Sequence, residues 1–317
     1  MRRFSIMGLA IWAAFAVSPA EIAISAEPAA KAPSATAVGP TPPASVPQGQ
    51  SVPIQGQIQV SGQVTVGAQP EAPAETKKPV RKPAPKKAPV HDPHWEYEGL
   101  HGPENWGKLK AEYRLCSDGK QQSPIDIQGG TPLDLPPIRF SYLPASFSVV
   151  DNGHTIQLTL NGAGFIEVDG VRYEFLQMHF HHPAEEKIDG KSFEMVAHLV
   201  HRSASGALAV VAVLMTQGSE NPVFSPIWGR MPLKRDVPVS SSGATLDLSL
   251  VLPRNKAYFK YLGSLTTPPC SENVLWLVMK RPVELSAGQI AAFRQRYANN
   301  ARPIQRRNER WIQETQQ

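Results

Sequence analysis

The sequence predicts a mainly β fold with short helices (the α+β class), organised as a single domain with one continuous sheet as its core. Three observations predict it. Short runs of alternating apolar and polar residues begin after residue 91, turn-forming residues separate these runs, and helical periodicity is sparse. The domain predicted from this change in composition spans residues 91–317, and a disordered Pro-rich segment precedes it.

Seven segments of this region have the alternation expected of strands. They are Phe147–Val150, Thr155–Leu160, Phe165–Val168, Arg172–His181, Phe193–Val200, Leu208–Met215 and Val274–Met279. Turn residues lie between them, as in Asp189-Gly190. One helix is predicted after Ser286, because a serine followed by Gln289 and an apolar run through Phe293 is typical of a capped helix start.

The N-terminus has the features of a secretory signal. Arg2 and Arg3 precede the apolar run Ile6–Val17, which is too short to span a bilayer, and small residues follow it. Residues 1–26 are therefore predicted to be a signal peptide, and the protein is expected to be secreted, with the periplasm as its compartment. The alternative is an uncleaved membrane anchor. No transmembrane segment is expected after signal cleavage.

Residues 27–90 are predicted to be a low-complexity Ala/Pro/Lys-rich linker, because this composition buries too little apolar area to fold. The formal charge of +5 comes from this part of the chain: residues 77–90 carry six Lys or Arg and no acid. The predicted domain is close to neutral, which argues against nucleic acid as a partner. A plain spacer is favoured, and contact of the Lys/Pro segment with an anionic envelope surface is the alternative.

Cys116 and Cys270 are the two cysteines of the sequence. An even count in an exported chain favours a disulfide between them, whereas two unpaired thiols would fit a reducing compartment. The bridge would close a long loop and stabilise the fold by roughly 4–5 kcal/mol in the chain-entropy model.

Five of the nine histidines lie between residues 179 and 201. Side chains two apart in a strand point to the same face, so His179 and His181 project together and His182 does not. On a later strand His198 and His201 point to opposite faces. If the two strands are neighbours, His179, His181 and His198 form a three-nitrogen site that leaves a fourth position of Zn²⁺ open, as in catalytic sites. The alternative is that they are ordinary strand histidines.

Several motifs, in a fixed order over about residues 94–304, resemble those of the α-class carbonic anhydrases of exported bacterial type. They are Trp95-x-Tyr97, Gly102-Pro103-Glu104-x-Trp106, Gln122-Ser123-Pro124-Ile125-Asp126, Asn152-Gly153-His154, Gln177-Met178-His179-Phe180-His181, His198-Leu199-Val200-His201 and Ser264-Leu265-Thr266-Thr267-Pro268-Pro269. The resemblance implies a central twisted, mostly antiparallel sheet and a conical cavity that ends at Zn²⁺. It also implies reversible hydration of CO₂ to bicarbonate and a proton, through attack of zinc-bound hydroxide on CO₂.

The resemblance assigns roles to individual residues as well. His154 would shuttle the proton, and Thr266 with Glu185 would orient the hydroxide. The residues expected at the substrate are Thr267, Val200, Val210, Leu265 and Trp276. The residues expected in the water network are Tyr97, Asn152 and Gln157. Gln177 would accept the free ring proton of His179, and Cys116 and Cys270 match the family's disulfide. A homodimer is a further hypothesis.

One position departs from the family pattern. The family usually has Glu two residues before the third histidine, where this chain has Val196. We expect Glu194, a water or a backbone carbonyl to replace this acceptor, with looser zinc binding as the consequence. Val196 also lends weight to the alternative function, a catalytically weak or silent carbonic-anhydrase-like binding protein. A zinc hydrolase of the His-Glu-x-x-His type is not favoured, because that motif is absent from the sequence.

Overall fold

The structure is a computed structural model, and it describes residues 94–316. The predicted signal peptide and the predicted linker, residues 1–26 and 27–90, lie outside the described residues. Within the described part, no helix has both the length and the apolar character needed to cross a membrane.

Strands dominate the described part of the chain. They are β1 (Asp126–Ile127), β2 (Thr131–Leu133), β3 (Arg139–Tyr142), β4 (Ala145–Asp151), β5 (Ile156–Leu160), β6 (Gly164–Val168), β7 (Val171–His181), β8 (Lys187–Ile188), β9 (Met195–Ser203), β10 (Leu208–Gln217), β11 (Val239–Leu246), β12 (Tyr258–Ser264), β13 (Glu272–Met279), β14 (Val283–Leu285) and β15 (Gln313–Thr315). The helices are short: α1 (Trp106–Leu109), α2 (Leu115–Asp118), α3 (Ser225–Trp228) and α4 (Ala287–Arg294), with 3-10 turns at Gly99–His101, Ala111–Tyr113 and Leu248–Val251.

All seven predicted strands form, as β4, β5, β6, β7, β9, β10 and β13, and the predicted helix is α4. The start of α4 has the predicted capping box, in which the Ser286 side chain accepts from the Gln289 main-chain N–H and the Gln289 side chain bonds the main chain of Ser286. The strands without a clear alternation, such as β3, β11 and β12, are not among those predicted.

Thirteen strands form one mixed sheet with the order β11-β4-β5-β7-β9-β10-β13-β12-β15-β2; β6 also pairs with β7 and β3, and β14 with β10. A separate two-stranded sheet joins β1 and β8. Most neighbours in the large sheet are antiparallel, and the parallel pairs are β10–β13, β10–β14 and β15–β2. This architecture confirms the mainly β fold with a mostly antiparallel sheet.

The strand β7 is buried on both faces near its C-terminal end, and the alternation of its side chains separates two environments. The Phe180 ring lies on one face, in edge-to-face contact with the rings of Trp228 at 4.8 Å and Phe293 at 6.1 Å, which belong to α3 and α4. The neighbouring residues His179 and His181 therefore point to the opposite face, away from the helical layer.

The predicted disulfide between Cys116 and Cys270 is present and spans 154 residues. It lies in a small cluster with the fully buried Trp106, next to the half-buried Trp95 and Tyr97. The bridge thus ties the N-terminal helical turns to the loop that connects β12 and β13.

Candidate metal centre

Three histidines from adjacent strands converge on one point. The strands β7 and β9 pair antiparallel, with His179 directly opposite His198 and His181 opposite Val196. One ring nitrogen from each of His179, His181 and His198 lies within 4.8 Å of the others. The side-chain parity inferred from the sequence and the strand pairing together produce this cluster.

Hydrogen bonds hold the other nitrogen of each ring. His179 Nδ1 lies 2.9 Å from Gln177 Oε1, and His181 Nδ1 lies 2.7 Å from the main-chain oxygen of Asn300. His198 Nε2 lies 2.9 Å from Glu186 Oε1. Each acceptor keeps the ring proton on the outer nitrogen, so the lone pair of the inner nitrogen faces the cluster.

The site suits a divalent metal that prefers imidazole nitrogen. Burial, aided by the positive charge of a protonated His198, lowers the pKa of His179 to about 3 and the pKa of His181 well below its ordinary value. Both rings are thus held in the neutral form that ligates metals. The inner Nε2 of His181 is buried and has no hydrogen-bond partner, as expected of an atom whose partner is a metal ion. Three imidazoles whose outer nitrogens are bonded to separate acceptors are a donor set that fits Zn²⁺.

Glu185 lies on the inner side of the cluster. Its Oε2 is 3.5 Å from His181 Nε2 and 3.8 Å from His198 Nδ1, and its Oε1 accepts the main-chain N–H of Arg302 at 2.8 Å. The side chain of Thr266 lies near this carboxylate and lowers its pKa, so the structure brings the predicted pair together. Burial raises the pKa of Glu185 to about 7. Thr267 follows in the same loop, where its main-chain oxygen accepts the N–H of Cys270 at 2.9 Å.

Apolar side chains form one wall beside the cluster. Val200, Val210 and Trp276 belong to one buried group, and the half-buried Leu265 packs against it. The ring of Trp276 meets the ring of His198 edge to face at 5.0 Å. In the sheet, Val210 pairs with Val200 on one side and with Trp276 on the other, so adjacent strands supply these side chains to a single face.

Polar side chains lie on the side of β5. Gln157 pairs with His179 across β5 and β7, and its Oε1 accepts from Asn152 Nδ2 at 3.4 Å. The other end of Asn152 accepts the main-chain N–H of His154 at 3.0 Å. The half-buried Tyr97 ring lies 6.4 Å from the His154 ring. Gln157 thus lies next to His179, and Asn152 and Tyr97 lie next to His154.

His154 is held in a stack of aromatic rings. Its imidazole lies 3.6 Å from the Trp95 ring and 4.8 Å from the ring of His94, nearly parallel to the former. Burial, aided by the charges of His94 and Arg235, lowers the pKa of His154 to about 4. In this position the ring is neutral at pH 7.

The model of the eukaryotic-type carbonic anhydrase family matches residues 101–317, which is more than half of the chain. The chain belongs to the α-class carbonic anhydrases. It is 42% identical over 226 residues to the carbonic anhydrase of Klebsiella pneumoniae, an alignment that covers 70% of this chain and 92% of that protein. It is 40% identical over 223 residues to the carbonic anhydrase of a Nostoc species, covering 69% and 84% of the two chains.

A solved structure agrees with these relatives. The α-carbonic anhydrase of Thermovibrio ammonificans, in complex with its inhibitor sulfanilamide, superposes with a TM-score of 0.67 at 41% identity and covers 70% of this chain and 99% of that one. The large sheet of this chain thus has the fold of the α-class carbonic anhydrases.

One expectation about this carbonic anhydrase is wrong. Glu194 does not replace the missing strand acceptor, since it is exposed; Glu186 bonds His198 instead. Glu186 precedes β8 and is outside any strand, so side-chain parity could not identify it. Asn300 was missed as well, because a main-chain oxygen has no signature in the sequence. His201 lies on the opposite face of β9, where its ring bonds the hydroxyl of Tyr142 at 2.8 Å.

Proposed function

We propose that this chain catalyses the reversible hydration of CO₂ to bicarbonate and a proton, with Zn²⁺ held by His179, His181 and His198. One observation carries the proposal: the buried imidazoles of His181 and His198 and the half-buried imidazole of His179 face each other, and the outer nitrogen of each is bonded to a separate acceptor. When bound, Zn²⁺ supplies the Lewis-acid chemistry that activates a water molecule near neutral pH.

Glu185 and Thr266 orient the reacting water. The Arg302 main-chain N–H fixes the Glu185 carboxylate, and Thr266 donates its hydroxyl proton to that carboxylate. The Thr266 oxygen can then act only as an acceptor towards the water, which directs a lone pair of the reacting oxygen at CO₂. This role is positioning and involves no proton transfer by Glu185.

The apolar wall binds the small, uncharged substrate. Val200, Val210, Leu265 and Trp276 provide a dry surface next to His198, and Thr267 lies in the same loop as Thr266 to contact bicarbonate. The proton leaves on the other side, along Tyr97, Asn152 and Gln157 to the imidazole of His154. The His154 ring is protonated more readily when it lies outside the Trp95 stack, because its pKa then approaches the ordinary value of about 6.5.

Stopped-flow CO₂ hydration tests this function. Turnover is expected to disappear on chelation of zinc and to return with one equivalent of Zn²⁺. His198→Ala should abolish it, whereas the matched variant His182→Ala, whose ring bonds the exposed main-chain oxygen of Ala298, should retain it. Inhibition by sulfanilamide gives an independent readout. A parent protein that binds zinc but shows no turnover would contradict the proposal.

The alternative of a silent binding protein loses its main support. It was suggested by Val196, which leaves β9 without the usual acceptor for His198. Since Glu186 provides a carboxylate at 2.9 Å from His198 Nε2, the ring is as well supported as those of the other two histidines.

We further propose export to the periplasm, with residues 1–26 as signal, 27–90 as linker and 91–317 as catalytic domain. The Cys116–Cys270 disulfide supports an oxidising compartment. Cell fractionation and N-terminal sequencing of the mature protein test the export and the cleavage site. Deletion of residues 27–90 tests the linker: retained turnover with unchanged binding to anionic vesicles identifies a spacer. The homodimer is a separate hypothesis that sedimentation analysis tests.

A further inference from the structure

The acceptor of the His198 ring proton comes from outside the strand that carries His198. Glu186 immediately precedes β8, is fully buried, and places Oε1 at 2.9 Å from His198 Nε2. Its Oε2 has no hydrogen-bond partner in the structure. Burial of a carboxylate is costly unless hydrogen bonds or opposite charge offset it, and the bond to His198 is the side-chain hydrogen bond that Glu186 makes.

Two adjacent glutamates contact opposite edges of one imidazole. Glu185 Oε2 lies 3.8 Å from His198 Nδ1, on the side of the metal cluster, whereas Glu186 bonds Nε2 on the outer side. The Glu185 carboxylate is itself anchored by Arg302 and Thr266. Of the two acids, Glu186 is the one within hydrogen-bond distance of the His198 ring, at Nε2.

Val196 is the strand position from which a side chain could compete for the same ring. It lies two residues before His198, on the same face of β9, and is fully buried in the apolar group that includes Val200 and Val210. An apolar residue at position 196 leaves His198 with an acceptor because Glu186, in the segment before β8, bonds the ring.

We propose that Glu186 is the positioning residue of His198: its carboxylate holds the ring proton on Nε2, leaves Nδ1 free for Zn²⁺, and makes residue 196 an ordinary core position. This inference rests on the proposed function, since it assumes that the three histidines bind zinc. It reverses the expectation that Val196 loosens the metal.

The first test measures zinc affinity and zinc dissociation by competition with a chromophoric chelator in the full chain. Glu186→Ala should weaken zinc binding by about 10–100-fold, the usual cost of losing such an acceptor. Glu186→Gln should lie between parent and alanine, because an amide oxygen accepts the same proton but forms a weaker bond than a carboxylate. Glu194→Ala, which removes an exposed glutamate near the same strand, is the matched control and should change affinity less than twofold.

The second test needs no metal. Long-range proton–nitrogen correlation spectra of the zinc-free protein, recorded at a pH at which His198 is neutral, should show the His198 proton on Nε2 in the parent and in Glu186→Gln. In Glu186→Ala this tautomer should lose its dominance. Thermal unfolding of each zinc-free variant separates a loss of folding from a loss of positioning, since only folded protein gives the dispersed spectrum.

A further variant, Val196→Glu, tests whether the residue at position 196 limits zinc affinity. A second buried carboxylate next to Glu186 should lower the thermal stability of the zinc-free protein and bring no gain in zinc affinity. The role of Glu186 would be overturned by an alanine variant that keeps both the parent tautomer and the parent zinc affinity, or by a more than tenfold gain in Val196→Glu. A parent that binds no zinc would instead contradict the proposed function, and the tautomer spectra would still test the contact.

Discussion

Asn300 joins several main-chain segments around the metal centre, and its replacement by alanine should be strongly destabilising. The side chain is fully buried. Its Oδ1 accepts the N–H of His182 at 2.8 Å, and its Nδ2 donates to the main-chain oxygens of His154 and Phe180, both at 3.0 Å. The residue thus links the end of β7 to the turn that carries His154.

The size of the effect follows from the groups left behind. The oxygen of Phe180 retains a second donor, the hydroxyl of Thr155, so its loss is small. The N–H of His182 and the oxygen of His154 lose their Asn300 partner, and each unsatisfied group of this kind costs about 1–3 kcal/mol. Both contacts are only partly buried, which favours a total of about 2–4 kcal/mol.

Urea unfolding of the zinc-free protein, followed by tryptophan fluorescence, measures this loss without linkage to metal binding. Asn299→Ala is the matched control. Its exposed side chain accepts one long bond, from the N–H of Ala301 at 3.3 Å, and its removal should cost less than about 0.5 kcal/mol. If Asn300→Ala loses less than about 1 kcal/mol, the reasoning from unsatisfied main-chain groups is wrong.

Three further predictions concern pH, redox state and the aromatic stack. Burial lowers the pKa of His201 to about 3, so its contribution to stability is complete above pH 6.5 and declines as the pH falls towards 3. Between pH 7 and pH 5 this titration lowers the free energy of unfolding by about 2 kcal/mol, and His201→Gln should remove that part of the pH dependence. An unchanged dependence of the unfolding free energy on pH in His201→Gln would contradict the prediction. During reduction of the disulfide, CO₂ hydration should decline at a lower reductant concentration than tryptophan fluorescence does, because Cys270 anchors the loop of Thr267. Loss of activity and loss of fluorescence at the same reductant concentration would refute this. Trp95→Ala should raise the pKa of His154 from about 4 towards 6.5 in an NMR titration, and a parent value already near 6.5 would show that the stack does not exclude water.

The strands that carry the site could be predicted because their chemistry is periodic. In β7 and β9 the alternation identifies which histidines share a face, and pairing of the two strands then brings His179 opposite His198. The helix α4 was recognisable from its capping box for a similar reason, since both partners are local in the sequence.

The remaining parts depend on contacts that no local pattern encodes. Glu186 reaches His198 from an irregular segment, so strand parity gives no information about its direction. The acceptor of His181 is a main-chain oxygen, which any residue at position 300 would have. Edge strands such as β11 were not predicted, because exposure on one side and a shift in register remove the alternation that identifies a strand.

The central claim is that three imidazoles from β7 and β9 bind one zinc ion and leave a position for solvent. Zinc X-ray absorption spectroscopy of the parent protein tests it most directly. We expect three imidazole nitrogens at about 2.0–2.1 Å from zinc and one exchangeable light atom, with one imidazole lost in His198→Ala. A fourth ligand from the protein, or a first coordination sphere unchanged in His198→Ala, would contradict it.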